Sequence, residues 1–136
     1  MRVLLTLVLA AIQFSVAAMI GAGAQAQSEL PRLVAKNGES VELHSVFFVA
    51  SCRSIMIGLP EVEVVEGPPE VTLSIKEEPV LPRRLNCANK VPGGTLSLNA
   101  KGITESKEAK LVYRLKYKTK DGDRQTSRTY VISLFP

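Results

Sequence analysis

The sequence predicts an all-β protein, an antiparallel β-sandwich of about seven short strands. Three observations carry that prediction. Apolar and polar residues alternate with a period of two in several segments, and helix signals are almost absent after the N-terminal leader. Proline and glycine clusters punctuate the chain at short intervals. The only two cysteines, Cys52 and Cys87, stand far apart in the chain, as the ends of one long-range staple would.

The leader comes first. Arg2 supplies a minimal positive region, and Val3 to Ile20 is apolar apart from Thr6, Gln13 and Ser15. Ala24-Gln25-Ala26 then offers the small residues that a signal peptidase needs at the −3 and −1 positions. Residues 1–26 therefore read as a cleavable signal peptide, and residues 27–136 as a single domain. A retained membrane helix is opposed by the extreme N-terminal position, the Gly21 and Gly23 exit and the lack of a basic stop-transfer flank. No later segment offers a membrane span, and no Cys follows the apolar run to take a lipid. The protein is predicted to be exported, periplasmic or secreted. An oxidising compartment makes Cys52 and Cys87 a structural disulfide in preference to a reactive or metal-binding pair.

Each strand then has its own signal. A short strand around Leu33 to Ala35 is turned by Asn37-Gly38. Ser40 to Cys52 follows, apolar on both faces from Val46 to Ala50, which suits a central strand covered on both sides or one carrying a bulge. Glu61 to Val65 alternates weakly. Glu70 to Lys76 alternates clearly, with Val71, Leu73 and Ile75 on one face. Thr95 to Lys101 places Leu96, Leu98 and Ala100 inward. Lys110 to Lys120 and Thr126 to Phe135 flank Lys120-Asp121-Gly122-Asp123, a strong hairpin signal. Leu111, Tyr113, Leu115 and Tyr117 should share a face with Tyr130, Ile132 and Leu134. Gly58-Leu59-Pro60, Gly67-Pro68-Pro69, Pro79, Pro82 and Pro92-Gly93-Gly94 are read as breaks between strands. Short strands at regular spacing with one long-range disulfide fit an immunoglobulin-like sandwich.

The stretch from Gly93 to Phe135 resembles the closing strands of bacterial immunoglobulin-like modules. Tyr113 and Tyr117, the Asp121-Gly122 turn and Tyr130-Val131-Ile132 carry the resemblance. The chain departs from the antibody pattern in having no Trp to pack on its disulfide. The resemblance implies a fold and no catalytic residues, since fold does not fix function.

Composition restricts the chemistry. Lys and Arg number 17 against 13 Asp and Glu, a formal net charge of +4, with one His and no Trp. That is too mildly basic for a dedicated nucleic-acid binder, and no stacking aromatics accompany the charge. A zinc site built on several His is impossible, and no cofactor or metal motif is present. His44, the only His, sits eight residues from Cys52, about 26 Å along an unbroken strand, so the two cannot form a nucleophile–base pair there. Glu61, Glu63, Glu66, Glu70, Glu77 and Glu78 make an acidic segment without the marks of a cleft. Asp121-Gly122-Asp123 is too short to cage calcium. Phe47, Phe48, Tyr113, Tyr117, Tyr130 and Phe135 are assigned to the core, leaving no aromatic platform for sugars.

The most informative feature is a basic stripe. Opposite Tyr113 and Leu115, the strand from Lys110 carries Lys110, Arg114, Lys116 and Lys118, with Lys107, Arg124 and Arg128 nearby in sequence. Lysines on an exposed strand can simply prevent edge-to-edge pairing. They can instead dock an anionic protein or cell-envelope surface, or pair with the chain's own acidic segment. The function predicted is a non-enzymatic binding or assembly module, with Lys110, Arg114, Lys116 and Lys118 as its binding face. The alternative is a hydrolase or hydrolase inhibitor whose site leaves no motif, and a pocket joining His44 or paired Glu side chains would favour it.

Overall fold

A computed structural model describes residues 29–136. The predicted signal peptide over residues 1–26, with its cleavage site, lies outside the described residues. In chain order the elements are β1 (Arg32–Lys36), β2 (Ser40–Val46), β3 (Val49–Ala50), β4 (Arg53–Ser54), β5 (Glu61–Glu66), β6 (Val71–Val80), a 3₁₀ turn (Arg83–Leu85), β7 (Val91–Ala100), β8 (Lys107–Thr119) and β9 (Gly122–Phe135). There is no α-helix among the described residues, and so none long and apolar enough to cross a membrane. A four-stranded sheet runs β1-β9-β8-β5, a three-stranded sheet runs β2-β7-β6, and β3 and β4 form a small hairpin of their own. All pairings are antiparallel except β1 on β9, which is parallel.

Both larger sheets turn apolar side chains into one core. Leu96, Leu98 and Ala100 of β7 meet Leu111, Tyr113 and Leu115 of β8 and Ile132 and Leu134 of β9, with Ala35, Val46, Val71 and Ile103 completing the cluster. These are the positions that period-two alternation assigns inward, because successive side chains on a strand point to opposite faces. Full burial of each large aliphatic side chain stabilises the fold by about 1.5–3 kcal/mol. Leu96, Leu111, Tyr113, Ile132 and Leu134 are all completely buried. Phe135, assigned to the core from sequence, is instead 40% exposed, because it has the outward parity and follows Leu134 at the strand's end.

Four details differ from the sequence reading. The run from Ser40 to Cys52 is not one central strand: β2 is a sheet edge that ends at Val46, with a bulge between Glu42 and His44. The remainder folds into the β3–β4 hairpin, whose loop residues Ser51 and Cys52 both take positive φ, 49° and 60°. Positive φ at both loop positions is what a tight primed turn demands, and it is costly for residues with a Cβ. The disulfide between Cys52 and Cys87 fastens this turn to the segment following the 3₁₀ turn. Asn37-Gly38 does not return the chain onto β1 but hands it to the other sheet. Its Asn37 side chain accepts hydrogen bonds from the Gly102 and Ile103 N–H groups at 2.8 and 3.1 Å.

Pro79, Pro92, Gly93 and Gly94 do not interrupt strands but lie within β6 and β7. Pro79 is tolerated because β6 is an edge. Pro92 is tolerated because β2 reaches only as far as Gly94 along β7, so no ladder partner needs the missing N–H. The β8–β9 hairpin also turns earlier than Asp-Gly suggests. Thr119 pairs with Gly122, leaving Lys120 and Asp121 as the loop, and Gly122 opens β9 with φ 117°. Thr119 Oγ1 accepts from the Asp121 N–H at 3.2 Å and donates to the Gly122 carbonyl at 2.8 Å, closing the turn.

Candidate functional site

The basic stripe is real as a surface. Leu111, Tyr113 and Leu115 face the core, so strand parity sends Lys110, Arg114, Lys116 and Lys118 to the outer face of the four-stranded sheet. β8 is interior to that sheet, hydrogen-bonded to β9 on one side and β5 on the other. β5 covers only Val112 to Lys116, so Arg114 and Lys116 have no free edge to protect, whereas Lys110 and Lys118 lie just beyond its two ends.

The stripe is divided by the acidic segment. The β5–β8 register sets Glu63 opposite Arg114 and Glu61 opposite Lys116. Glu63 Oε2 lies 2.9 Å from Lys116 Nζ and 3.8 Å from Arg114 Nη1. The hydrogen bond from Lys116, helped by its charge, holds the Glu63 carboxyl below the ordinary carboxylate range. Further along the acidic segment Glu70 pairs with Lys107, whose hydrogen bond likewise lowers the Glu70 pKa. Exposed pairs of this kind stabilise a fold only slightly, and the one Glu63 carboxylate offsets one of the two charges at the centre of the stripe. Lys110 and Lys118, at its two ends, form no ion pair among the described residues.

His44 and Arg128 meet on the inner side. Arg128 has the parity of Tyr130 and Ile132 and stands opposite Tyr113 in the β8–β9 register, so it belongs to the other face from the stripe. His44 on β2 reaches across from the second sheet. Its Nδ1 lies 2.9 Å from the Ser45 carbonyl, which can only accept, so Nδ1 carries the proton. Nε2, 2.7 Å from the Tyr113 hydroxyl, is then the acceptor and Tyr113 the donor. Burial pushes the His44 pKa below its ordinary value, opposed by the hydrogen bond to Ser45 and reinforced by the nearby Arg128 charge. Burial, together with the adjoining Tyr130 hydroxyl, drives Tyr113 far above the usual tyrosine range. Tyr113 is therefore a neutral donor and a poor nucleophile. With both ring nitrogens engaged, His44 has none left to take a proton from a substrate.

A groove of about 580 Å³ opens beside His44, lined in part by Phe47, Arg83, Arg84, Lys90 and Arg128. It also holds Glu42 and Glu78, so the pocket joining His44 and Glu side chains that the hydrolase alternative calls for is present. None of its four Arg and Lys side chains forms an ion pair among the described residues. Two smaller hollows of about 470 Å³ each lie under the β8–β9 tip, where Ile57 and Arg124 border both. No cluster of three potential metal ligands exists among the described residues.

No family model, curated protein or solved structure matches the chain.

Sequence reasoning placed the stripe residues on one face, and the structure brings them together there. It missed the groove, whose cations come from the β6–β7 connection and from β9. One signal was available for Arg128: the alternation Arg128, Tyr130, Ile132, Leu134 already separates it from the stripe. No spacing links it to Arg83, Arg84 and Lys90, which only the tertiary fold brings to it.

Proposed function

We propose that the protein is an exported, non-enzymatic binding module of the immunoglobulin-like kind, which docks an acidic partner on the outer face of β8. The observation that carries this reading is the pair of cations without an ion-pair partner among the described residues, Lys110 and Lys118, on the outer face of β8, flanking a centre where Glu63 offsets one of the two charges of Arg114 and Lys116. Arg114 and Lys116 lie where β5 covers the strand and so have no part in blocking edge pairing. The immunoglobulin-like reading is supported by strand order. With the seven longer strands lettered A to G in chain order, β5-β8-β9 corresponds to the C-F-G sheet and β2-β7-β6 to the B-E-D sheet. Strand A then lies against G, and the disulfide joins the B–C and D–E connections instead of strands B and F.

The test is crosslinking of tagged protein in its native host, followed by mass spectrometry, for the wild type and for Lys110→Glu/Lys118→Glu. Neither lysine supports another side chain, so the double variant keeps the wild-type melting temperature. A partner of acidic surface that the wild type captures and releases in salt, and that the variant loses, supports the reading. Equal capture by the variant removes the β8 face from the function. No reproducible partner overturns the docking role.

A further inference from the structure

The groove beside His44 lies away from the β8 face and has the character of a small-ligand site. Four permanent cations, Arg83, Arg84, Lys90 and Arg128, border it against two carboxylates, Glu42 and Glu78, so four minus two leaves a local charge of +2 with His44 neutral. The acids do not cancel the cations pairwise, because none of the four cations forms an ion pair among the described residues and Glu78 accepts a hydrogen bond from the hydroxyl of buried Thr95. Three of the four are arginines, whose planar forks hold tetrahedral oxyanions through paired hydrogen bonds.

The remaining surroundings suit more than a bare anion. Phe47, assigned to the core from sequence, lies instead half-buried outside the core cluster and lines the groove, where it gives a flat apolar wall of the sort on which a sugar ring stacks. The Ser45 hydroxyl and the Glu42 carboxylate supply partners for ring hydroxyls. A volume of about 580 Å³ lies within the range of sites for small molecules. The cationic connection is also held in place: Arg83 and Arg84 lie in the 3₁₀ turn, and Cys87 between them and Lys90 is disulfide-bonded to Cys52. The backbone therefore loses little freedom on binding, and the cost that remains is the ordering of the four exposed side chains.

We propose that this groove binds a phosphate- or sulfate-bearing sugar, with the ester oxyanion on Arg83, Arg84, Lys90 and Arg128 and the ring against Phe47. Such a group can belong to a free sugar ester or to the headgroup of a glycolipid. The site is independent of the acidic-partner reading, since none of its residues lies on the outer face of β8.

Calorimetric titration of the oxidised protein tests it, with glucose 6-phosphate, glucose 1-phosphate and N-acetylglucosamine 6-sulfate as probes, and glucose and inorganic phosphate as references. At least one ester is expected to saturate, at least tenfold tighter than either reference, and to weaken as salt is raised. Arg84→Ala/Arg128→Ala, both at exposed positions, lowers that affinity at least tenfold at an unchanged melting temperature, while Lys110→Glu/Lys118→Glu leaves it unchanged. Vesicles doped with a phosphorylated glycolipid separate the two sources: binding to them and to the free ester places the ligand on a lipid as well. Vesicles of plain phosphatidylglycerol bound through the same arginines, with no free ester bound, would overturn the proposal in favour of a membrane surface. So would failure of every ester to saturate by about 10 mM, or equal affinity for inorganic phosphate.

Discussion

Gly93 offers the sharpest test of the packing. Neither Gly93 nor Gly94 has a positive φ, so any cost of adding a side chain there comes from space and not from backbone conformation. A Cβ on Gly93 would stand 2.5 Å from the Val46 carbonyl oxygen and 3.0 Å from Val80 Cγ2, whereas real Cβ atoms essentially never come within 3.0 Å of another heavy atom. The Val46 carbonyl must therefore recede by about 0.5 Å, and close-packed interiors transmit such a shift. Val46 is 2% exposed and lies in the core, so its withdrawal loosens the contact between the sheets. Overpacking of this kind costs about 1–3 kcal/mol, and a backbone obstacle places Gly93→Ala in the upper half of that range. At about 4 °C or more per kcal/mol, the melting temperature should fall by about 10 °C. Gly67→Ala is the control: its Cβ meets only side-chain ends, Leu111 Cδ1 at 3.1 Å and Val64 Cγ1 at 3.3 Å. Those ends can turn aside, and the stiffer unfolded chain returns about 0.4–1 kcal/mol, leaving the variant near neutral. Urea unfolding of the oxidised proteins, followed by circular dichroism, reads both. A Gly93→Ala protein as stable as wild type, or a Gly67→Ala protein less stable than Gly93→Ala, would refute the reasoning.

Reducing the Cys52–Cys87 bond, which spans a sequence separation of 35, should cost about 3–4 kcal/mol through regained unfolded-chain entropy. A melting curve unmoved by dithiothreitol, with both thiols free by alkylation, would contradict that. His44 titrates near 6.5 in the unfolded chain and lower in the fold, so across that interval the unfolded chain holds more protons. Stability is then full above 6.5 and is lost as pH falls through the interval. Glu63 and Glu70, also lowered in the fold, act only below their ordinary 4.5, which keeps the windows separate. Melting temperatures between pH 7.5 and 5 should decline in the wild type and stay level in His44→Gln, and equal slopes would dismiss His44 as the cause. Tyr113→Phe removes a 2.7 Å hydrogen bond and strands the Nε2 acceptor, at a cost of about 1 kcal/mol. An unfolding midpoint equal to wild type would show the bond to be absent in solution.

Where local pattern and burial agree, the sequence was readable. Leu96, Leu98 and Ala100, and Leu111, Tyr113 and Leu115, could be assigned inward from alternation alone, and the disulfide from compartment and count. The failures share a cause. Pro79, Pro92 and the adjoining glycines look like breaks because proline and glycine act locally that way, yet the β6 edge tolerates Pro79, β2 stops short of Pro92, and close strand packing requires the missing Cβ. The run after Val46 is apolar because Phe48 stacks on Tyr117, with ring centroids 3.5 Å apart, and not because a long strand continues. The groove could not be read at all, since its charges converge only when β9 and the β6–β7 connection come together.

The parallel pairing of β1 with β9 fixes the order of events when the chain is made. Arg32 is matched to Val131 and Lys36 to Phe135, so the first described strand has no neighbour until the last has been synthesised. At ribosomal speeds of about 5–20 residues per second, that delay is about 5–20 s. Throughout it Leu33 and Ala35 lack the Ile132 and Leu134 surface that buries them, and the four-stranded sheet cannot close. Until β9 exists, a nascent chain therefore carries β1 as a strand without a neighbour, while the β2-β7-β6 sheet and the β5–β8 pairing already have every strand they need.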